Sequence, residues 1–323
     1  MGLVSSLNST RLIGSEFEGY IVLTGGNDPR AAQQSLADAL SANGIRAIAR
    51  GYDHSPLPNG VVVAVEYDSS ISPEQRYAGI RWAQIEVKTK PLTIGEWEAT
   101  VPPMLDLLKY AGLRVNHSTG HHIHLSFEEM KREPRHVRSL WNLYHRFQDV
   151  LFGLVAPSRR DNTFCRRMPN DTKLLHGANS LRELRRRLSD YDRYTFLNTT
   201  HLLGDSPRIE IRSHHGTVEP AKARAWLHLH MAMLDHAIRR SCQAAPSPIP
   251  NSRKAFDALV TTCGLKPRSG IYTEVDPTLR ASAKALLKTW KKFNGNHAMY
   301  PQRNGKRIDL GNGNETAQHE EAE

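Results

Sequence analysis

Gly14-Ser15-Glu16-Phe17-Glu18, residues 14–18, sets two carboxylates on alternate positions around a phenylalanine. A β-strand turns successive side chains to opposite faces, so Glu16 and Glu18 share one face and Phe17 points to the other. The arrangement recurs twice. In Gly120-His121-His122-Ile123-His124-Leu125-Ser126, His122 and His124 oppose Ile123 and Leu125, while in Arg208-Ile209-Glu210-Ile211-Arg212, Glu210 and Arg212 oppose Ile209 and Ile211. Each strand therefore has a core side and a chemically loaded side. If the loaded sides line one concave sheet, carboxylates, imidazoles and a guanidinium converge, the set that a divalent cation and a polyphosphate require. The pattern points to an enzyme.

Outward from these stretches, the first strand is expected over Leu12 to Leu23, ending at Gly25-Gly26. A helix follows, capped by Asn27 or Asp28, with Pro29 in its first turn and a stop at Gly44. Ile45 to Tyr52 reads as a strand, and Gly60 to Asp68 with Arg81 to Lys90 as a hairpin. Gly95 to Ala111 is helical, with Pro102-Pro103 forcing a kink or a late start. After the histidine-rich strand a long helix runs from Pro134 to Val155. Ala156 to Gly177 has little periodicity and is read as an active-site loop or lid. Asn179 to Leu188 is a short helix, Tyr191 to Asn198 and Pro207 to His215 are the last strand pair, and Glu219-Pro220 opens a helix to Arg240. Helices over Arg253 to Cys263 and Pro277 to Phe293 complete the pattern. Several neighbouring strands have connections too short for a crossover helix, so the expected class is α+β with a largely antiparallel sheet and flanking helices. The expected organisation is a flexible tail over 1–10, one catalytic domain over 11–293 with its motifs in 12–240 and a helical part over 241–293, and a disordered tail over 294–323.

The chain has 323 residues and a formal net charge of +10, which favours an anionic partner such as a nucleotide, nucleic acid or acidic polymer. Arginines cluster at Arg159-Arg160, Arg166-Arg167 and Arg182 with Arg185 to Arg187; the last run falls on more than one helix face, so most of it is solvated. Cys165, Cys242 and Cys263 make neither a disulfide framework nor a CxxC knot. No apolar run is long enough to span a bilayer and the N-terminus lacks signal-peptide character, so a cytoplasmic protein is expected. No Walker-type loop follows Gly25-Gly26, and no GxSxG elbow is present.

The chain resembles the amidoligase family, a branch of the carboxylate-amine ligases with a glutamine-synthetase-like catalytic fold. The matching pieces are residues 14–18, Ile85-Glu86-Val87-Lys88-Thr89-Lys90-Pro91-Leu92, Gly120 to Leu125, Tyr194 to Asn198, and Arg208 to Arg212 with Gly216-Thr217. The resemblance implies ATP-dependent amide bond formation through an acyl-phosphate, with ATP and Mg²⁺ or Mn²⁺ as cofactors. By position in the motifs it implies Glu16, Glu18, Glu86, His122 and Glu210 as metal ligands, Glu66 being the rival of Glu86. It sets His124 and Arg212 at the phosphates and makes Arg212, Glu210 and Glu16 the catalytic group. Lys88 is a nucleotide contact or, with Lys90, a solvated edge lysine. Arg193, Asn198 and Arg160 are candidates for holding the carboxylate substrate. That substrate would be a peptide, a cell-wall precursor or a modified nucleotide, joined to an amine or ammonia. Two other readings compete: a metal-dependent hydrolase using the same Glu and His residues, and a basic nucleic-acid-binding protein using the arginine clusters. His121 is expected on the core side, and His228 and His230 in helix packing.

Overall fold

The computed structural model describes residues 3–23, 28–51, 53, 55–72, 79–169, 174–189, 193–240, 247–269 and 272–295. The expected strand end at Gly25-Gly26, the alternative cap Asn27, Tyr52, Tyr191 and nearly all of the expected C-terminal tail lie outside these residues. The chain divides into two compact units. One comprises residues 1–7, 129–196 and 228–323, the other residues 8–128 and 197–227.

In the first unit, β1 (Leu3–Ser5) lies in the stretch expected as a flexible tail. The second unit carries the sheet. Its strands are β2 (Ile13–Val22), β3 (Ala47–Ala49), β4 (Val63–Glu66), β5 (Trp82–Thr89), β6 (Gly120–Ser126), β7 (Leu197–Asn198) and β8 (Arg208–His215), in the order β3-β4-β5-β2-β6-β8-β7. Only β3 and β4 run parallel; the other five pairings are antiparallel, so the sheet is mixed. One face buries Ile13, Phe17, Val63, Val65, Ile85, Val87, Ile123, Leu125, Ile209 and Ile211. These are the alternate positions the pattern assigns to the core, and their removal from water is the main force holding the strands in register.

Two helices pack with this sheet. Helix α1 (Pro29–Ala42) starts where Asp28 accepts from the Ala31 amide and where Pro29 has no N–H to satisfy, and it buries Leu36, Ala37 and Leu40. Gly44, at φ +83°, takes the left-handed conformation just beyond its end. Helix α2 (Ile94–Tyr110) starts at a capping box between Thr93 and Glu96 and runs through Pro102-Pro103, so the prolines do not delay it. Trp97 of α2 is fully buried and donates its indole N–H to Ser15 Oγ at 2.9 Å, tying the helix to the core face of β2.

The first unit is helical. It contains α3 (Glu129–Arg132), α4 (Arg135–Gly153), α5 (Pro157–Arg160), α6 (Leu181–Leu188), α8 (Arg253–Thr262) and α9 (Pro277–Asn294), while α7 (Pro220–Arg239) contributes to both units. The parallel partner of β1 is β9 (Tyr272–Val275), which has no clear counterpart in the sequence pattern. Tyr144 and Phe152 pack on Phe196, with ring centroids 6.0 and 5.1 Å away, and Tyr144 Oη lies 2.6 Å from His230 Nδ1. His228 Nδ1 lies 2.9 Å from Ser282 Oγ, so both helical histidines serve packing. The segment read as an active-site loop contains the single turn α5, and the strand expected from Tyr191 shortens to Leu197–Asn198.

Candidate functional site

Strand register brings the loaded positions into rows. In antiparallel pairs the residues directly opposite each other point to the same face. Glu66 pairs with Glu86, and Glu86 with Glu18, making one row of carboxylates across β4, β5 and β2. The next row joins Lys88, Glu16 and His122 across β5, β2 and β6. A third runs from Gly14 through His124 and Glu210 to Asn198 on the edge strand β7. A register shift between His121 and Ile123 breaks the ladder of β6 against β8 beside His122. His121 instead faces the core, stacked on Phe17 at 4.2 Å.

The side chains converge as the rows require. Glu16 Oε2 is 3.0 Å from His122 Nδ1, and its Oε1 is 3.2 Å from His124 Nε2. His122 also approaches Glu18 Oε1 at 3.4 Å and Glu210 Oε1 at 3.6 Å. The His124–Glu16 approach is poorly aligned, and neither buried ring nitrogen of His124 makes a hydrogen bond with a described residue. Arg212 Nη1 pairs with Glu210 Oε1 while Asn198 donates to Glu210 Oε2 at 2.6 Å. Gly120 N–H donates to Glu18 Oε2 at 2.6 Å.

Among the described residues, three clusters have ligand atoms that all lie within 4.8 Å of one another: Glu16, Glu86 and His122; Glu16, His124 and Glu210; and Glu18, Asp68 and Glu86. They share Glu16 and Glu86, forming a continuous string along the face. Two clusters combine carboxylates with one imidazole and the third is all oxygen, a donor set that suits a hard divalent cation. The string includes Glu86 and leaves out Glu66. Glu66 is fully buried and spends its carboxylate on Arg50 Nε at 2.7 Å and Lys88 Nζ at 3.0 Å. Lys88 Nζ also lies 2.8 Å from Glu86 Oε2.

Electrostatics set the protonation states. Burial pushes the Glu86 carboxyl up, and the charges of Glu16 and Glu18 push it further, so it stands well above the usual range despite Lys88. Burial also pushes Glu16 up, but His124 and His122 overcome this and hold it well below. Glu210 is held down against burial by His124, His122 and Arg212. His124 is raised because Glu16 outweighs the cost of burying its charge. A bound divalent cation would favour the charged form of Glu86 by offsetting the charges of Glu16 and Glu18 beside it.

The structure brings together Glu16, Glu18, Glu86, His122, His124, Glu210 and Arg212. Asn198 joins them, with its Oδ1 taken by Thr200 N and Oγ1 at 2.9 and 2.8 Å and its Nδ2 by Glu210, so its described contacts support Glu210. Arg160 and Arg193 belong to the helical unit. Arg160 Nη2 donates to the Phe293 carbonyl at 3.1 Å, and Arg193 stacks on Tyr194 at 5.0 Å. Asp68 is the ligand candidate the motifs pass over. Its signal is the Glu66-Tyr67-Asp68 alternation, the same pattern as residues 16–18.

Among solved structures, the complex between the prokaryotic ubiquitin-like protein Pup and its ligase PafA matches with 9% sequence identity and a TM-score of 0.42, over 89% of this chain and 65% of that chain. This chain thus spans less than two thirds of that relative's length. No curated protein matches. The model of the family described as "Putative amidoligase enzyme" matches residues 9–234, most of the chain and all of the strands that carry the site, and the protein belongs to the amidoligase family.

Proposed function

We propose that the protein is an ATP-dependent carboxylate-amine ligase that forms an amide bond through an acyl-phosphate, with ATP and magnesium or manganese held on the charged face of the sheet. The observation that carries this reading is the string of carboxylates and histidines, shared through Glu16 and Glu86 and bordered by Arg212. Family membership agrees with it. A carboxylate is a poor electrophile. Its oxygen attacks the γ-phosphorus of ATP, ADP leaves, and the amine then attacks the activated carbonyl carbon with loss of phosphate and a proton.

Glu16, Glu18, Glu86, Asp68, His122 and Glu210 would hold the divalent cations, which supply the positive charge that lets a polyanion and a carboxylate approach. Arg212, oriented by Glu210, meets phosphate oxygens with a planar fork of donors, and His124 offers a ring nitrogen beside it. Lys88 stands between Glu66 and Glu86, 3.0 and 2.8 Å away, where it supports the carboxylate row and is the candidate nucleotide contact of that row. The acceptor carboxylate is a peptide, a cell-wall precursor or a modified nucleotide, and the attacking group an amine or ammonia. The proton released by the amine passes to a site already rich in acceptors.

The test is thermal stability of the purified protein with ATP plus Mg²⁺, with each alone, and in the Glu16→Gln variant. A rise that needs both ligands and disappears in the variant is expected. A rise produced by zinc without ATP, together with turnover in the absence of nucleotide, would replace this reading by a hydrolase.

A further inference from the structure

The charged face of the sheet opens at one end. Along β2 the positions on that face pass from Tyr20 and Glu18, both buried, through Glu16 and Gly14, both partly exposed, to Leu12 just before the strand, 44% exposed. At the same end of β6 and β8 stand Ser126 and Arg208, which pair with each other one step beyond His124 and Glu210 and are partly exposed. Leu12 joins this row: its amide donates to Ser126 Oγ at 3.0 Å, and the Ser126 amide donates to the Leu12 carbonyl at 2.9 Å. Gly14, opposite His124, leaves bare backbone between Glu16 and Leu12. A trough therefore runs from the ligand string to Arg208, whose backbone lies about 7 Å beyond that of Glu210 along β8.

Arg208 differs from the cations deeper on this face. Arg212 pairs with Glu210, and Lys88 with Glu66 and Glu86. The Arg208 side chain makes no hydrogen bond or ion pair with a described residue. Its charge nonetheless acts inside the trough: burial and then Arg208 lower His201, and Arg208 is among the charges acting on His124. We infer that Arg208 holds an anionic group of the carboxylate substrate that takes no part in the reaction. The inference rests on the ligase reading and names its substrate class: a molecule with two anionic groups, one activated at the ligand string and the other on Arg208. The carbon skeleton between them lies over Gly14 and against Leu12. A guanidinium with no carboxylate partner of its own binds such a group through charge and a planar fork of donors, without first breaking a bond. A monocarboxylate leaves that fork unused, so discrimination between one charge and two is built into the trough.

The test is isothermal titration calorimetry of the full chain, with Mg²⁺ and ADP present so that nothing turns over, at constant ionic strength. The probes are butyrate, glutarate, adipate and 3-phosphonopropionate, and the proteins are the parent, Arg208→Gln and Arg208→Lys. At least one dianion is expected to bind the parent tenfold or more tighter than butyrate does. That preference should vanish in Arg208→Gln and return in part in Arg208→Lys, with Mg²⁺-ADP affinity alike in all three. A tighter dicarboxylate identifies the second group as a carboxylate, and a tighter phosphonate identifies it as a phosphoryl group. Equal binding of one and two charges by the parent, no binding of any probe, or a preference that survives in Arg208→Gln overturns the inference. Loss of Mg²⁺-ADP binding in Arg208→Gln also overturns it, by placing Arg208 on the nucleotide, and leaves the ligase reading intact. A parent that does not bind nucleotide with Mg²⁺ removes the ligase reading and this inference with it.

Discussion

Asn198 and Glu210 face each other across β7 and β8, and the Asn198 amide donates to Glu210 Oε2 at 2.6 Å while Arg212 takes the other oxygen. The edge strand β7 is two residues long, and one of them orients a central carboxylate. Asn198→Ala is expected to weaken ATP-Mg²⁺ binding roughly 10- to 100-fold, as loss of an outer partner of a ligand does, without changing thermal stability of the free protein by more than a few degrees. Unchanged nucleotide affinity would mean that Arg212 alone holds Glu210.

Glu210→Gln removes a ligand charge with little change in volume and is expected to abolish nucleotide turnover in a folded protein. Arg212→Lys is expected to fail as well, because a point charge cannot reproduce a planar fork. ADP release measured alongside circular dichroism checks both. Full activity in either variant removes that residue from the site.

Asp68 and Glu66 lie two residues apart on the same face and are expected to behave differently. Asp68→Asn should raise the Mg²⁺ concentration needed for nucleotide binding and leave stability unchanged. Glu66→Gln leaves Arg50 and Lys88 short of a buried counter-charge, and breaking a buried pair costs about 3–5 kcal/mol. Its urea midpoint should fall clearly. The opposite pattern would exchange their roles.

Gly216 is required by contact rather than by its backbone angles. A Cβ there would run into Thr119 Oγ1 and lie 2.7 Å from Thr119 Cβ, and Thr119 Oγ1 in turn donates to Asn116 O at 2.9 Å. Gly216→Ala is expected to destabilise the protein by about 1–3 kcal/mol through overpacking. A melting temperature equal to that of the parent would show that the Thr119 turn yields freely.

Stability should also fall in mild acid. Burial, then the neighbouring Arg239, Arg268 and Arg240, bring His236 down to about 4, and burial with His215 and His121 holds His214 well below its ordinary value. Unfolded histidine titrates near about 6.5, so below that pH the unfolded chain binds protons that the folded chain refuses. Stability from these groups is complete above about pH 7 and declines as pH falls toward about 4. The urea midpoint at pH 5 should lie below that at pH 7.5, and His236→Gln should narrow the gap. An equal gap in the variant would show that His236 is not neutral in the fold.

Alternation was enough to divide every main strand into a core face and a charged face, because the side-chain period of a strand is two and the apolar positions must be buried. It yielded Glu16, Glu18, His122, His124, Glu210 and Arg212 from local pattern, the helix start at Asp28-Pro29, and the core side of His121. The choice of neighbours was not local. That β5 and β6 flank β2, that Glu86 enters the string while Glu66 is absorbed by Arg50 and Lys88, and that Asp68 completes a cluster all follow from register between strands far apart in the chain. Pattern alone also could not see β1 pairing with β9, since three residues carry too little periodicity to declare a strand. The residues themselves determined which side chains share a face, through backbone geometry. Only the tertiary structure decided which of them meet, because contact depends on strand order and on the free energy of burying each charge beside its particular partners.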